Sequence, residues 1–386
     1  MLIAINGIFF NKPYTGIGQY TRNLVNSLTL LNDKFNLIVF VNSTDNQYLD
    51  IKMNNNINID FVPIKKIPIK NDIIQHVLFE EKVLNKAFKI GVDVLHTPYL
   101  YTPLVRKSKI KHVVTIHDVI PKIFTQYRNG YIRNRYFSFL EKRLKNVDQI
   151  ITVSNNSRDD IIKYLNIETS KVSVIYESVN PVFLNTPDSS ACQIVKEKYK
   201  LPDDFIFYVG GFDYRKNVSS LIQAYSYLKK NDKIDKKLII AGEFSPTQKQ
   251  LKLNLVEDIP QIIKELNLEN EVKMVGYIPQ KEIPIFYKLS EICVYPSLYE
   301  GFGLPILEAM YCSTPILTSK VSSIPELINR DDLLFNPKDV KEISEKMLWL
   351  LSDKSLRKSI SEWIINRAKK FTWEEASQKT YSTYIK

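Results

Sequence analysis

SLYEGFGLPILEAM, residues 297–310, holds two glutamates eight positions apart, Glu300 and Glu308, with glycine, phenylalanine and proline between them. Ahead of it, EICVYPS is a short apolar run closed by a Pro-Ser break, which predicts a buried strand. Behind it, LPILEAMYC has helical spacing with Pro305 in the first turn, where a missing N–H costs nothing. Gly301 and Gly303 therefore fall in a strand-to-helix turn. Unpaired backbone N–H groups and the positive end of the helix dipole gather there, suited to an anion or to sugar hydroxyls. Glu300 hangs over that spot, and Glu308, farther along the helix, reaches toward a group such as a ribose diol. On spacing alone a plainer reading stays open, a loop acid and a helix-surface acid with glycines serving only the turn.

The same strand–turn–helix unit recurs along the chain. LIAIN (2–6), NLIVFV (36–41), DVLH (93–96), HVVTI (112–116), QIITV (149–153) and KVSVIY (171–176) read as buried strands. QYTRNLVNSLTLL, DIIQHVLFEEKVLNKAFK and SRDDIIKYL between them carry helical spacing. The rhythm stops at VNPVFLNTPDSSACQIV, whose prolines and polar cluster predict a linker. It restarts at FIFYVG (205–210) and runs through KLIIAGEF, EVKMVGYI, EICVYP and TPILTS. Alternation of this kind implies parallel sheets with crossover helices. The expected fold class is α/β, two doubly wound Rossmann-like domains, with the site in the cleft between them. The boundaries are 1–185 for the first domain, 186–200 for the linker, 201–368 for the second domain and 369–386 for a closing helix. In that last segment Trp373, Tyr381 and Tyr384 need partners. A length of 386 residues suits two domains.

Composition excludes several classes. Three widely spaced cysteines and four scattered histidines suggest no metal site or disulfide framework, and they fit a reduced cytoplasmic setting. The N-terminus MLIAINGIFF lacks the marks of a secretory signal, and no apolar run reaches ~18 residues. The net charge of +11 raises nucleic acid or an anionic membrane surface as partners. Over residues 122–145 seven Lys and Arg face one acid, Glu141, with six aromatics interleaved. That segment reads as a solvated helix face, as a membrane or anionic-acceptor surface, or as a nucleic-acid contact.

A second turn complements the first. In FYVGGFDYRKNVSSLIQAY (207–225) a strand ends at Gly210 and Gly211, and Arg215 and Lys216 precede a helix that Asn217 can cap. An Arg-Lys pair beside a helix N-terminus can clamp a diphosphate and neutralise charge growing on a leaving group. Taken alone, an RKN tripeptide is more often a solvated turn.

The ordered set YVGGFDYRKN, VGYIP, SLYEGFGLPILEAMYCSTPIL and SSIPEL resembles the carboxyl-terminal domain of retaining glycosyltransferases of the GT-B fold, family 4. NGIFFNKPYTGIGQYTRNL, HTPYL, TIHDVIP and ITVSNNSRDDI resemble the amino-terminal domain of the same family, in its mannosyltransferase-like branch, and FTWEEASQKTYSTY its closing helix. The likeness covers nearly the whole chain. It implies that Glu300 contacts the donor sugar and Glu308 the nucleotide ribose. Gly301, Phe302 and Gly303, continuing into Leu304, present backbone to sugar and phosphate. Arg215 and Lys216 bind the diphosphate beside Gly211, and the stretch around Tyr277 and Ile278 lines the nucleobase pocket through main-chain contacts. Gly16 and Gly18 let backbone approach the donor phosphates, and His117, with Asp118, sits near the transferring sugar. His117, Glu300, Arg215 and Lys216 are the expected catalytic set. His96 is a weaker candidate, and His76 and His112 are expected to be structural.

Departures from the family pattern are Ser313, where glycine is frequent, and AGEFSP (241–246), which lacks a second glycine. No Asp-x-Asp triplet occurs, so no metal and no cofactor are expected. The implied reaction moves a hexosyl unit, first guess mannosyl from GDP-mannose, to a growing, lipid-linked surface glycan such as O-antigen or capsule. The implied setting is cytoplasmic, with peripheral contact to the inner membrane face through 122–145, sensitive to charge reversal at Arg133 and Arg135. The competing readings are a same-fold nucleotide-sugar epimerase, an inactive partner subunit, and a nucleic-acid-binding module. Acids lining the site would repel nucleic-acid phosphates, so no nucleic acid is expected as a partner.

Overall fold

The computed structural model describes residues 1–12, 15–32, 35–42, 58–64, 72–101, 109–128, 131–231 and 233–386, and for 72–76 and 131–133 the backbone alone. Two compact units emerge. The first holds Met1–Ile123, Arg128–Ser178 and Phe371–Lys386, and the second Phe124–Tyr127 and Val179–Lys370.

The first unit starts with β1 (Leu2–Asn6), α1 (Gly16–Leu28), β2 (Asn36–Asn42), β3 (Ile59–Ile64) and α2 (Asp72–Ile90). It continues through β4 (Val94–Thr97), β5 (Lys111–Thr115), α3 (Ile120–Ile123) and α4 (Tyr131–Leu144), then β6 (Gln149–Thr152), α5 (Asn155–Leu165) and β7 (Val172–Val174). Among the described residues the strands form one parallel sheet in the order β3-β2-β1-β4-β5-β6-β7. Helices cover the sheet: Phe79, Val83 and Ala87 of α2 pack on Ala4, Ile38 and Phe40. Leu144 of α4 with Ile161 and Leu165 of α5 pack on Val114 and Ile150. Runs such as NLIVFV are apolar throughout because both sheet faces are buried. The edge strand β3, half exposed and carrying Pro63, lacks that signature and escapes a reading by apolar runs.

The second unit runs α6 (Ser189–Tyr199), β8 (Phe205–Val209), α7 (Val218–Lys230), β9 (Lys237–Ala241), α8 (Gln248–Lys252) and α9 (Ile259–Glu265). Then come β10 (Val272–Gly276), α10 (Ile283–Leu289), β11 (Ile292–Tyr295), α11 (Leu304–Tyr311), β12 (Ile316–Ser319) and α12 (Ile324–Leu327). β13 (Leu334–Phe335), α13 (Val340–Ser352) and α14 (Lys354–Ala368) complete it. Its strands are also all parallel, in the order β10-β9-β8-β11-β12-β13.

The final helix α15 (Trp373–Ile385) belongs to the first unit. Its aromatics find the partners that the sequence demanded. Trp373 meets the edge of Tyr20 with ring centroids 5.7 Å apart, and Tyr381 stacks on Phe35 at 5.0 Å. The Tyr384 hydroxyl lies 2.7 Å from Nδ1 of buried His96. Lys111 Nζ donates to the last carbonyls of the helix, Thr383 O at 2.9 Å and Tyr384 O at 3.1 Å, at the negative end of its dipole.

Two expectations are corrected here. Most of 186–200 is not a linker but α6, capped by Asp188 and packed through Tyr199 edge-on against Phe286 of α10. The polar cluster that read as a break is the cap of a helix. The chain passes from one unit to the other at Ser178–Val179 instead. The basic aromatic segment is likewise not one continuous face. Phe124 and Tyr127 belong to the second unit, where Phe124 lies edge-on to Tyr214 and Tyr299. Of the remainder, Lys122 and Arg128 share Glu141, and Arg135 and Lys142 are exposed. The side chains of His76 and Arg133 lie outside the described residues.

Candidate active site

In an open parallel sheet, ligands bind outside the carboxyl ends of the strands where the strand order reverses. In the second unit that point lies between β8 and β11, which pair directly. The loop leaving β8 carries Arg215 and Lys216, and the loop leaving β11 carries Glu300. Topology alone brings these residues together.

They meet in a charged cluster. Arg215 Nη1 is 2.9 Å from Glu300 Oε2, and Lys216 Nζ is 2.7 Å from Oε1. The guanidinium also holds Asp213 Oδ1 at 2.8 Å through Nε and donates to Tyr299 O at 3.3 Å. Ser297 Oγ donates to Glu300 Oε1 at 2.7 Å. Glu300 is 8% exposed. Burial would raise its carboxyl, but Lys216 and Arg215 outweigh burial and, with the hydrogen bonds from Lys216 and Ser297, hold it down at about 2. Two cations and two carboxylates cancel, so the cluster is neutral while its members satisfy one another.

The glycine turn after β11 is held rigidly. Ser323 Oγ, fully buried, donates to both Glu300 O and Phe302 O at 2.9 Å, and Glu300 N donates to Ser322 Oγ at 2.9 Å. Gly303 sits at φ +110°, and a Cβ there would press Leu327 and Ile306 at 3.1 and 3.2 Å, so only glycine fits. Phe302 is buried and Leu304 half-buried at the start of α11. The first turn of this helix has N–H groups without intrahelical partners, as every helix start does.

Glu308 lies half-buried on α11, accepting from the Tyr287 hydroxyl at 3.3 Å. Burial pushes its carboxyl up to about 8 against the pull of Tyr287 and Lys216. The two acids of the opening stretch therefore differ in kind, one ionised under two cations and one largely protonated at neutral pH. After β10, Tyr277 is 62% exposed while Ile278 is buried. Gly211 lies in the turn after β8, where a Cβ would come within 3.1 Å of Asp213 Oδ2.

Asn217 corrects the expectation of a cap. It stands at the start of α7 in a left-handed conformation and its side chain caps no backbone N–H of the helix; its Oδ1 accepts instead from the Ser220 hydroxyl at 2.8 Å. Its amide nitrogen donates to Pro296 O at 3.0 Å and Pro337 O at 2.8 Å, tying the Arg-Lys turn to the loops after β11 and β13.

In the first unit, His117 follows β5. Its Nε2 lies 3.1 Å from Pro98 O, and because a carbonyl only accepts, Nε2 carries the proton and Nδ1 the lone pair. Burial lowers its pKa to about 4 despite that bond, so the ring is neutral at pH 7. Tyr20 packs against it edge-on at 4.7 Å. Asp118 Oδ1 accepts from Ile120 N at 3.0 Å and so caps the following turn. His96 is enclosed between Tyr384 and Thr115 Oγ1, 2.8 Å from Nε2, which is a structural role.

The glycine pair of α1 splits. Gly16 is exposed with open space where a Cβ would go. At Gly18 a Cβ would lie 2.1 Å from Lys12 O, so the chain's own backbone already requires glycine there. Sequence reasoning missed Asp213, Ser297 and Ser323. Ser297 stands three residues ahead of Glu300, a spacing that signals a side-chain contact across a turn, but nothing local points from Ser323 back to residue 300.

Among the described residues no group of three or more His, Cys, Asp or Glu could hold a metal ion, and no helix is long and apolar enough to cross a membrane.

Two parallel-sheet units of this strand order, with paired cations and acids at the reversal of the second, define a doubly wound α/β protein with a charged cluster where such sheets bind ligands. Residues 193–367 match the family described as glycosyl transferases group 1, and residues 14–183 the family described as Glycosyltransferase Family 4. An O-antigen chain mannosyltransferase B of Escherichia coli is 30% identical over 385 residues, covering 96% of each chain. An O-antigen chain mannosyltransferase of Salmonella typhimurium is 30% identical over 240 residues, covering 62% of this chain and 59% of that one. The sucrose-phosphate synthase structure from Thermosynechococcus elongatus superposes with a TM-score of 0.76 over 100% of this chain and 98% of its own, at 21% identity, which speaks to the fold. The chain belongs to the family 4 (group 1) glycosyltransferases, and its fold is of the GT-B class.

Proposed function

We propose that the chain transfers a mannosyl unit from GDP-mannose, with retention of anomeric configuration and without a metal ion, to a hydroxyl of a lipid-linked surface glycan. The observation that carries this reading is the Arg215–Lys216–Glu300 cluster at the strand-order reversal of the second unit. The mannosyl donor and the glycan acceptor rest on what the two bacterial relatives are named for.

In this reading the donor diphosphate draws Arg215 and Lys216 away from Glu300. The C1–O bond to the diphosphate breaks as those cations and the first-turn amides of α11 take up the growing charge. The acceptor oxygen attacks C1 from the face the leaving group vacates, and its proton passes to a phosphate oxygen of the departing nucleoside diphosphate. Glu300, released from its cations, holds donor hydroxyls. Glu308 holds the ribose, the face of Tyr277 lies beside the base, and Gly16 admits the phosphates. His117 accepts a hydroxyl of the transferring sugar at Nδ1. The exposed Arg135 and Lys142 suit an acceptor carried on an anionic membrane surface.

The test is a transfer assay with GDP-mannose in the presence of a chelator. The acceptor is presented in anionic vesicles, and the product is read by the one-bond C1–H1 coupling in NMR. An α-mannosyl product, formed less efficiently as salt rises, supports the reading. A β-mannosyl product, or transfer only on adding a divalent cation, contradicts it.

A further inference from the structure

Helix α7 starts just after Asn217, whose side chain caps no backbone N–H: its Nδ2 donates to Pro296 O and Pro337 O, and its Oδ1 accepts from the Ser220 hydroxyl at 2.8 Å. Its first turn is served from 38 residues downstream. Ser219 N donates to Glu257 Oε2 at 3.2 Å, and the Ser219 hydroxyl donates to Glu257 Oε1. The stretch bearing Glu257 is itself bonded to the turn ahead of the helix. Tyr214 N donates to Leu255 O at 3.0 Å, Glu257 N donates to Phe212 O at 2.9 Å, and Asp213 and Val256 form an antiparallel bridge. On the other side Leu298 N donates to Arg215 O at 2.6 Å. Arg215 and Lys216 are thus carried on a turn gripped between residues 255–257 and the loop after β11.

Two consequences follow from the chemistry. The carboxylate at the positive end of α7 is the chain's own, so a diphosphate cannot use that helix end, and its charge falls to the two side chains. The direction in which those side chains point depends on a turn that runs directly into α7 and that Glu257 ties a second time, from outside, to the first turn of the helix.

We propose that Glu257 is a positioning residue for the nucleoside diphosphate: by capping α7 and anchoring residues 212–217, it makes Arg215 and Lys216 present their charges together. This rests on the reading of Arg215 and Lys216 as the diphosphate clamp. Glu257 itself touches no reacting atom.

The test compares full-length wild type, Glu257→Ala and Glu257→Gln by amide hydrogen exchange over residues 212–219 and by calorimetry with inorganic pyrophosphate and with GDP. Glu257→Ala is expected to speed exchange across 212–219 and to weaken both ligands about tenfold, the scale of a lost cap. Glu257→Gln keeps an oxygen that accepts from Ser219 N, and it is expected to restore slow exchange and affinity to within about threefold of wild type. Unchanged exchange in Glu257→Ala, or faster exchange with unchanged affinities, overturns the proposal while leaving the donor reading intact. A wild-type chain that binds neither pyrophosphate nor GDP refutes the clamp reading itself, and the positioning role falls with it.

Discussion

Glu300 is buried and holds its negative charge under two cations, the same two that the proposed function assigns to the donor diphosphate. On that reading ligand and residue compete for one pair of charges. Replacing Glu300 by glutamine removes the competitor and takes the cluster from neutral to singly positive, while losing the carboxylate that would hold donor hydroxyls. Glu300→Gln is expected to bind GDP several-fold more tightly than wild type and to transfer sugar at least ~100-fold more slowly, because a hydrogen bond realised only in the transition state is lost. Its unliganded form is also expected to be less stable, since half-buried Arg215 and Lys216 lose the carboxylate they share. Calorimetry with GDP and a transfer assay check the pair. Weaker GDP binding together with wild-type turnover would contradict the competition.

At the scale of elements, α15 is held to the first unit by ring contacts and by polar bonds to His96 and Lys111. His96 is fully buried between Thr115 and Tyr384, and burial lowers its pKa to about 3, so it stays neutral. Tyr384→Phe leaves one ring nitrogen without a partner in an apolar setting, at a cost of about 1–3 kcal/mol. Denaturant unfolding is expected to show that loss at pH 7, and an unchanged midpoint would mean the Tyr384–His96 bond contributes nothing to docking the helix. The strands and the helices that bury one face were legible in the sequence because parallel sheets require apolar runs such as NLIVFV and KLIIAG. What was not legible has a physical reason in each case. The edge strand β3 is half exposed, and α6 hides behind a cap that looks like a linker. Asn217 has the composition of a cap, but its amide is used by two distant carbonyls. Glu257 acts across 38 residues, beyond any local pattern. The acids and cations of the site were readable as residue types. Their mutual pairing was not, because it arises from β8 and β11 lying side by side.

For the whole molecule, a net charge of +11 accompanies an Arg215–Lys216–Glu300–Asp213 cluster whose own charges cancel. On the proposed reading, long-range attraction of an anionic donor comes from the body of the protein, and discrimination from how the cluster re-pairs once the diphosphate arrives. The account stands or falls on that exchange. The direct measurement is calorimetric titration of wild type and Arg215→Ala with GDP-mannose, and with UDP-, dTDP- and CDP-sugars, first with a chelator and then with magnesium. The expected result is binding of GDP-mannose at micromolar concentration without metal, unchanged by magnesium and lost in Arg215→Ala. Binding that requires magnesium, or that survives Arg215→Ala, would contradict the claim that the paired cations of the second unit hold the donor.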